Sequence, residues 1–105
     1  MWYGSNVHKE ETVRKYEACC LFPPEQELFE RGKEAVKTRL QESGANITKE
    51  DDMGQRALAY PVKNLNQGHY FLFEMEMDPE KVIDTEKSFK LIGDLLKFLI
   101  VRQES

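Results

Sequence analysis

The sequence predicts an α+β fold: one four-stranded antiparallel sheet with two helices on one of its faces. Three observations carry that prediction. The 105 residues give room for one domain and not two. Strand-like and helix-like segments follow one another in the order β-α-β-β-α-β. Two of the strands place apolar residues at every second position, as a sheet face lying under helices requires. At 40% hydrophobic and 32% charged, the composition is ordinary for a folded soluble protein. No apolar run approaches the roughly 18–20 residues of a membrane span, so no membrane partner is expected.

The first strand is read at Arg14–Phe22, stopped by Pro23-Pro24. Glu25 to Glu42 is helical: Pro24 suits a first turn, Glu25 and Glu27 favour the positive end of the dipole, and Lys37 and Arg39 the negative end. Leu28, Gly32, Val36 and Leu40, with Phe29 beside them, form its buried stripe. Gly32 weakens a helix by about 1 kcal/mol relative to Ala, so close packing against a strand is expected there. Ser43-Gly44 ends the helix, with Gly44 in the left-handed conformation. A second strand runs over Ala45–Pro61, with a bulge or bend in the acidic stretch Glu50–Gly54. Lys63–Gly68 is read as a turn leading to a third strand at His69–Met77. Asp78 caps a second helix with Pro79 in its first position, and Val82, Thr85, Phe89 and Ile92 face inward. Gly93-Asp94 breaks it before a last strand, Leu95–Arg102. This order has a preferred solution, the ferredoxin-like βαββαβ arrangement. Residues 1–13 are read as a flexible N-terminal extension of the 14–102 domain, and 103–105 as a tail.

The alternation sorts the faces. Tyr16, Ala18, Cys20 and Phe22, with Phe71, Phe73, Met75 and Met77, belong under the helices. The open face then carries Cys19, Leu21, Tyr70 and Leu72, with Glu74 and Glu76 at one end. A strand apolar on both faces implies a cover for the second, and an exposed apolar patch usually marks a partner surface. Scattered surface apolar residues are the plain alternative, as is the extension folding back over them.

Net charge is −4, from 15 basic and 19 acidic residues, which argues against a protein held to nucleic acid by bulk charge alone. Basic residues gather at strand ends, Arg14, Lys15 and Arg102 at one end of the sheet, and Arg56 and Lys63 near His69 at the other. They can contact phosphates, and Tyr16 or Tyr70 can stack on a base. Solvated edge charge that blocks aggregation is the simpler account of the same residues.

Nothing in the chain suggests catalysis. His8 and His69 lack metal-ligand spacing, so no metal or cofactor is expected. Asp51-Asp52 reads as a solvated turn rather than an acid–base dyad. Gly68 alone makes no phosphate loop, and Cys19-Cys20 read as small hydrophobes in a reduced, cytoplasmic compartment. No small-molecule substrate is implied.

Arg14-Lys15-Tyr16-Glu17, the run Gly54-Gln55-Arg56-Ala57-Leu58-Ala59-Tyr60-Pro61-Val62-Lys63, then Gly68-His69-Tyr70-Phe71-Leu72 and the closing Leu99-Ile100-Val101-Arg102 stand in a specific order and spacing. Together they resemble the bacterial small-subunit ribosomal protein six family over residues 14–102. Ala57 and Val62 depart from that family's signature. The resemblance implies a non-catalytic constituent of the small subunit. It would bind the central domain of small-subunit ribosomal RNA as a heterodimer with small-subunit ribosomal protein eighteen. On this reading Arg14, Tyr16, Arg56, Lys63, His69 and Arg102 touch RNA. Cys19, Leu21, Tyr70, Leu72 and Glu74 meet the partner protein, whose positive charge complements the acids. The alternative is a non-ribosomal regulatory or ligand-sensing module that self-associates through its open face. An RNA-recognition-motif protein is less well supported, since Tyr70 alone is a thin stacking platform.

Overall fold

The structure, a computed structural model, describes residues 13–103. The elements are β1 (Arg14–Phe22), α1 (Gln26–Glu42), β2 (Asn46–Val62), β3 (Leu65–Met77), α2 (Val82–Phe89) and β4 (Lys97–Arg102), with a 3-10 turn at Pro79–Lys81. The sheet order is β2-β3-β1-β4 and every neighbouring pair is antiparallel. This is the ferredoxin-like arrangement the element order predicts. The reading of residues 1–12 and 104–105 as extension and tail lies outside the described residues.

One face of the sheet is sealed by the helices. Tyr16, Ala18, Cys20 and Phe22 of β1 and Phe71, Phe73, Met75 and Met77 of β3 pack there against Phe29, Val36 and Leu40 of α1, with Phe89 at the end of α2 and Ile92 and Leu95 in the segment after it. Each such large side chain contributes about 1.5–3 kcal/mol by leaving water. At the end of α1, Gly44 takes φ +82° and its N–H bonds to the Gln41 carbonyl, which completes the left-handed cap. The Asp78 carboxylate accepts from the Glu80 N–H at 2.9 Å, but the turn it caps is 3-10 before the chain relaxes into α2.

Gly32 is a close-approach glycine. A Cβ built on it stands 2.7 Å from Cδ1 of the fully buried Phe22 and 3.1 Å from Cβ of Asp94. Gly32→Ala gains about 1 kcal/mol of helix propensity but overpacks the junction at a cost of about 1–3 kcal/mol. The expected result is a net loss of up to about 2 kcal/mol. It is read as a lower urea midpoint with an unchanged slope.

Several assignments differ from the sequence reading, and α2 ends at Phe89, short of Ile92 and of the expected break at Gly93-Asp94. The β2–β3 turn is not Lys63–Gly68 but the two residues Lys63 and Asn64, at φ 50° and 66°. Two consecutive positive φ values match the right-handed twist of the strands and let them pair up to the turn. β3 therefore starts at Leu65, and with β2 it extends beyond the rest of the sheet as a hairpin arm. β4 begins at Lys97 rather than Leu95, because Leu95 is buried in the core and the Leu96 N–H bonds to the Leu21 carbonyl at 2.8 Å. Asp51-Asp52, read as a turn, lies inside β2 at the expected bulge, where the register shifts between Asp52 and Gly54.

Candidate interaction face

The strand register builds the helix-free face row by row. Cys19 pairs with Leu72 on one side and Leu99 on the other. One row towards the arm, Leu21 lies between Tyr70 and Lys97. One row the other way, Glu17 lies between Glu74 and Val101. The centre is thus apolar, bounded by carboxylates at one end and an ammonium at the other. On β2, Asp51 pairs with Leu72 and extends the acidic border, while Lys49 reaches Glu74 at 3.9 Å.

A groove of about 170 Å³ follows the Tyr70–Leu21–Lys97 row, lined also by Cys19 and Leu99. Beside it, a second groove of about 120 Å³ lies under Leu58, Ala59, Tyr60 and Val62. These residues reach the face because β2 spends five steps from Ala57 to Val62 where β3 spends two from Gln67 to Leu65. The surplus chain bulges over the sheet. Lys97 holds it there, its Nζ donating to the Tyr60 hydroxyl at 2.9 Å. That bond lowers the Tyr60 hydroxyl below its ordinary pKa.

The sequence-predicted partner residues share this face, with one correction. Leu21 is only 4% exposed, although it lies opposite the helix-packed core. The bulged segment covers it, and Gly68 abuts its side chain so closely that a Cβ there would collide. Leu21 thus supports the face without offering surface. Cys19, Tyr70, Leu72 and Glu74 remain half-buried. Sequence reasoning missed Leu99 and Val101, exposed at 62% and 45%, and Tyr60 at 61%. Leu99 and Val101 alternate with Phe98 and Ile100, which pack towards the core, so β4 is apolar on both sides and only its register tells them apart. Burial, with Glu17 nearby, pushes the Cys19 thiol up, and burial pushes Cys20 up strongly. Both shifts favour the protonated thiol over the nucleophilic thiolate.

The sequence-predicted RNA residues do not form one patch. Arg102 pairs with Tyr16, two residues from Arg14, at one end of the sheet. Arg56, opposite Gly68, and Lys63, in the turn, lie along the arm at the other. Two of the expected contacts are corrected. Tyr16 is 7% exposed inside the core, so its ring cannot stack on a base. His69 is 7% exposed, its ring flat against Phe29 of α1, and its Nε2 donates to Asp52 rather than facing a phosphate.

Two carboxyls are held below the usual range: Asp52 chiefly by its hydrogen bond from His69, and Asp94 chiefly by that from Arg31. A depressed pKa in the fold adds stability that is complete above the unfolded value, about pH 4, and is lost as pH falls through the folded value. The melting temperature is expected to fall below about pH 4 by this linkage. Asp94→Asn is expected to make that acid limb shallower in melts recorded across pH.

Among the described residues no group of three metal-ligating side chains occurs, and no helix is long and apolar enough to cross a membrane. What the geometry defines is a ferredoxin-like sheet protein with one face sealed by helices and the other left open, with an apolar centre and a charged border. Comparison with known proteins places it further. The family described as Ribosomal protein S6 matches residues 15–102, and the chain belongs to that family. The small ribosomal subunit protein bS6 of Treponema denticola is 41% identical over 92 residues, covering 88% of this chain and 99% of that protein. That of Treponema pallidum is 41% identical over 93 residues, covering 89% and 100%. The crystal structure of 30S ribosomal protein S6 from Thermotoga maritima superposes with a TM-score of 0.79 at 26% identity, covering 87% of this chain and 88% of that one.

Proposed function

We propose that this small-subunit ribosomal protein is a non-catalytic, cytoplasmic constituent that grips the central domain of small-subunit ribosomal RNA as a heterodimer with small-subunit ribosomal protein eighteen. The observation that carries the reading is the helix-free face. Its apolar centre of Leu72, Cys19 and Leu99 favours a dry contact, and Glu17, Glu74 and Asp51 around it favour a cationic partner. The partner then supplies the positive charge that a chain of net charge −4 lacks. Arg14 and Arg102 at one end of the sheet, and Arg56 and Lys63 along the arm, add a smaller set of phosphate contacts from this chain.

Filter-binding titrations of a central-domain RNA fragment test the reading. The chain alone is expected to bind weakly, and the equimolar mixture with the partner at least tenfold more tightly. Equal affinity with and without the partner would overturn it.

A further inference from the structure

The arm leaves the sheet at a bulge closed by a histidine. Asp52 pairs with Phe71 and Gly54 with Tyr70, so Met53 is an inserted residue, and Gly54 takes φ +83°. One oxygen does the closing. Asp52 Oδ1 accepts from the Gly54 N–H at 2.9 Å and from His69 Nε2 at 2.5 Å. His69 comes from β3, so the bond crosses from strand to strand at the root of the arm. Its ring stacks on Phe29 with centroids 3.6 Å apart and planes within 3°, which anchors it to α1. Beyond the bulge, Gln55 Nε2 donates to the Pro24 carbonyl at 2.8 Å.

The chemistry of position 69 is unexpected for a packing residue. Nδ1 is buried with no hydrogen-bond partner among the described residues, a desolvation cost that a phenyl ring would avoid. Phe71 and Phe73, further along the same side of β3, occupy such places as hydrocarbons. The one contact that a phenyl ring could not make is the bond to Asp52.

A bulge is a point where a strand bends and is re-aimed. From His69, the last β3 residue paired with β1, to Leu65 the arm extends about 13 Å at roughly 3.3 Å per residue. A swing of about 20° at its root therefore moves the tip by about 4.5 Å, more than the reach of a hydrogen bond. We propose that the Asp52–His69 bond latches the arm at one angle to the sheet, making both side chains positioning residues for Arg56 and Lys63. The inference rests on the RNA reading above.

The test uses the full chain, free and in the mixture with small-subunit ribosomal protein eighteen. His69→Phe keeps the stack and removes the donor. Asp52→Ala, at a half-exposed side chain, removes the acceptor without touching the core. Asp52→Asn is the conservative control, because both bonds end on Oδ1 and an amide oxygen can accept both. In His69→Phe and Asp52→Ala, amide hydrogen exchange over residues 55–68 is expected to quicken at least tenfold, with β1 and α1 unchanged. RNA affinity of the mixture is expected to fall about tenfold, and the slope of log affinity against log salt to shrink by about 1–2 as the phosphate contacts of the arm are lost. Asp52→Asn is expected to match the unaltered chain in all three. Unchanged exchange in both variants, or a loosened arm with affinity and slope intact, would overturn the proposal. If the unaltered mixture binds no RNA, the RNA reading falls and takes the positioning role with it. The exchange rates would still decide whether the latch exists.

Discussion

Phe73→Asp is expected to leave the chain unfolded at 25 °C. The ring is 0% exposed, lies 4.8 Å from that of Phe71, and its strand partner Ala18 is equally buried. Truncating such a ring costs about 3–5 kcal/mol. Leaving an unpaired carboxylate in the same apolar space adds several more. Domains of this size hold about 5–15 kcal/mol in total, so the two costs together consume most or all of the margin. The measurement is amide dispersion in a proton–nitrogen NMR spectrum, which is expected to collapse. Leu72→Asp, one residue away on the opposite face and half-buried, is expected to keep native dispersion. If both variants unfold, the two-faced description of the sheet is wrong.

The second large effect is on assembly. Leu99→Asp places a carboxylate at the apolar centre of the open face, beside Cys19. Leu99 is 62% exposed in the free chain, so folding stability is expected to change by no more than about 1 kcal/mol. Binding of small-subunit ribosomal protein eighteen is expected to weaken by at least about 30-fold, the equivalent of about 2 kcal/mol for a central anchor residue. Ile83→Asp is the matched control: its side chain is 63% exposed, on α2 at the helix side of the sheet. Calorimetric titrations of the two variants are expected to differ in that direction. Equal losses would show that the partner does not choose this face.

Much of this architecture is legible in the sequence. The parity of Tyr16 through Phe22 and of Phe71 through Met77 marked the sealed face, because a period of two survives in regular central strands. Gly44, Asp78 and Gly32 announced their roles because each solves a local problem: a left-handed cap, an N-cap and a close approach. What stayed hidden depends on contacts distant in sequence. Parity puts Leu21 on the helix-free face, but its cover comes from a bulge some forty residues away, whose extent no local pattern records. His69 follows the turn-forming run Asn66-Gln67-Gly68, so by sequence it reads as a surface residue within reach of RNA. The register that sets β2 against β3 brings Asp52 to its Nε2, while the ring, on the same side of β3 as Phe71 and Phe73, lies on Phe29. The basic residues were visible too, but their division between two ends of an elongated sheet follows from strand pairing alone.

The contact surface itself can be read in one experiment: proton–nitrogen spectra of the labelled chain as unlabelled small-subunit ribosomal protein eighteen is added to equivalence. Shifts are expected at Cys19, Leu72, Leu99 and Tyr60 and along the Glu17–Glu74 border, with α1 and α2 quiet. Shifts confined to the helices around Ile83, or no shifts at equivalence, would contradict the account.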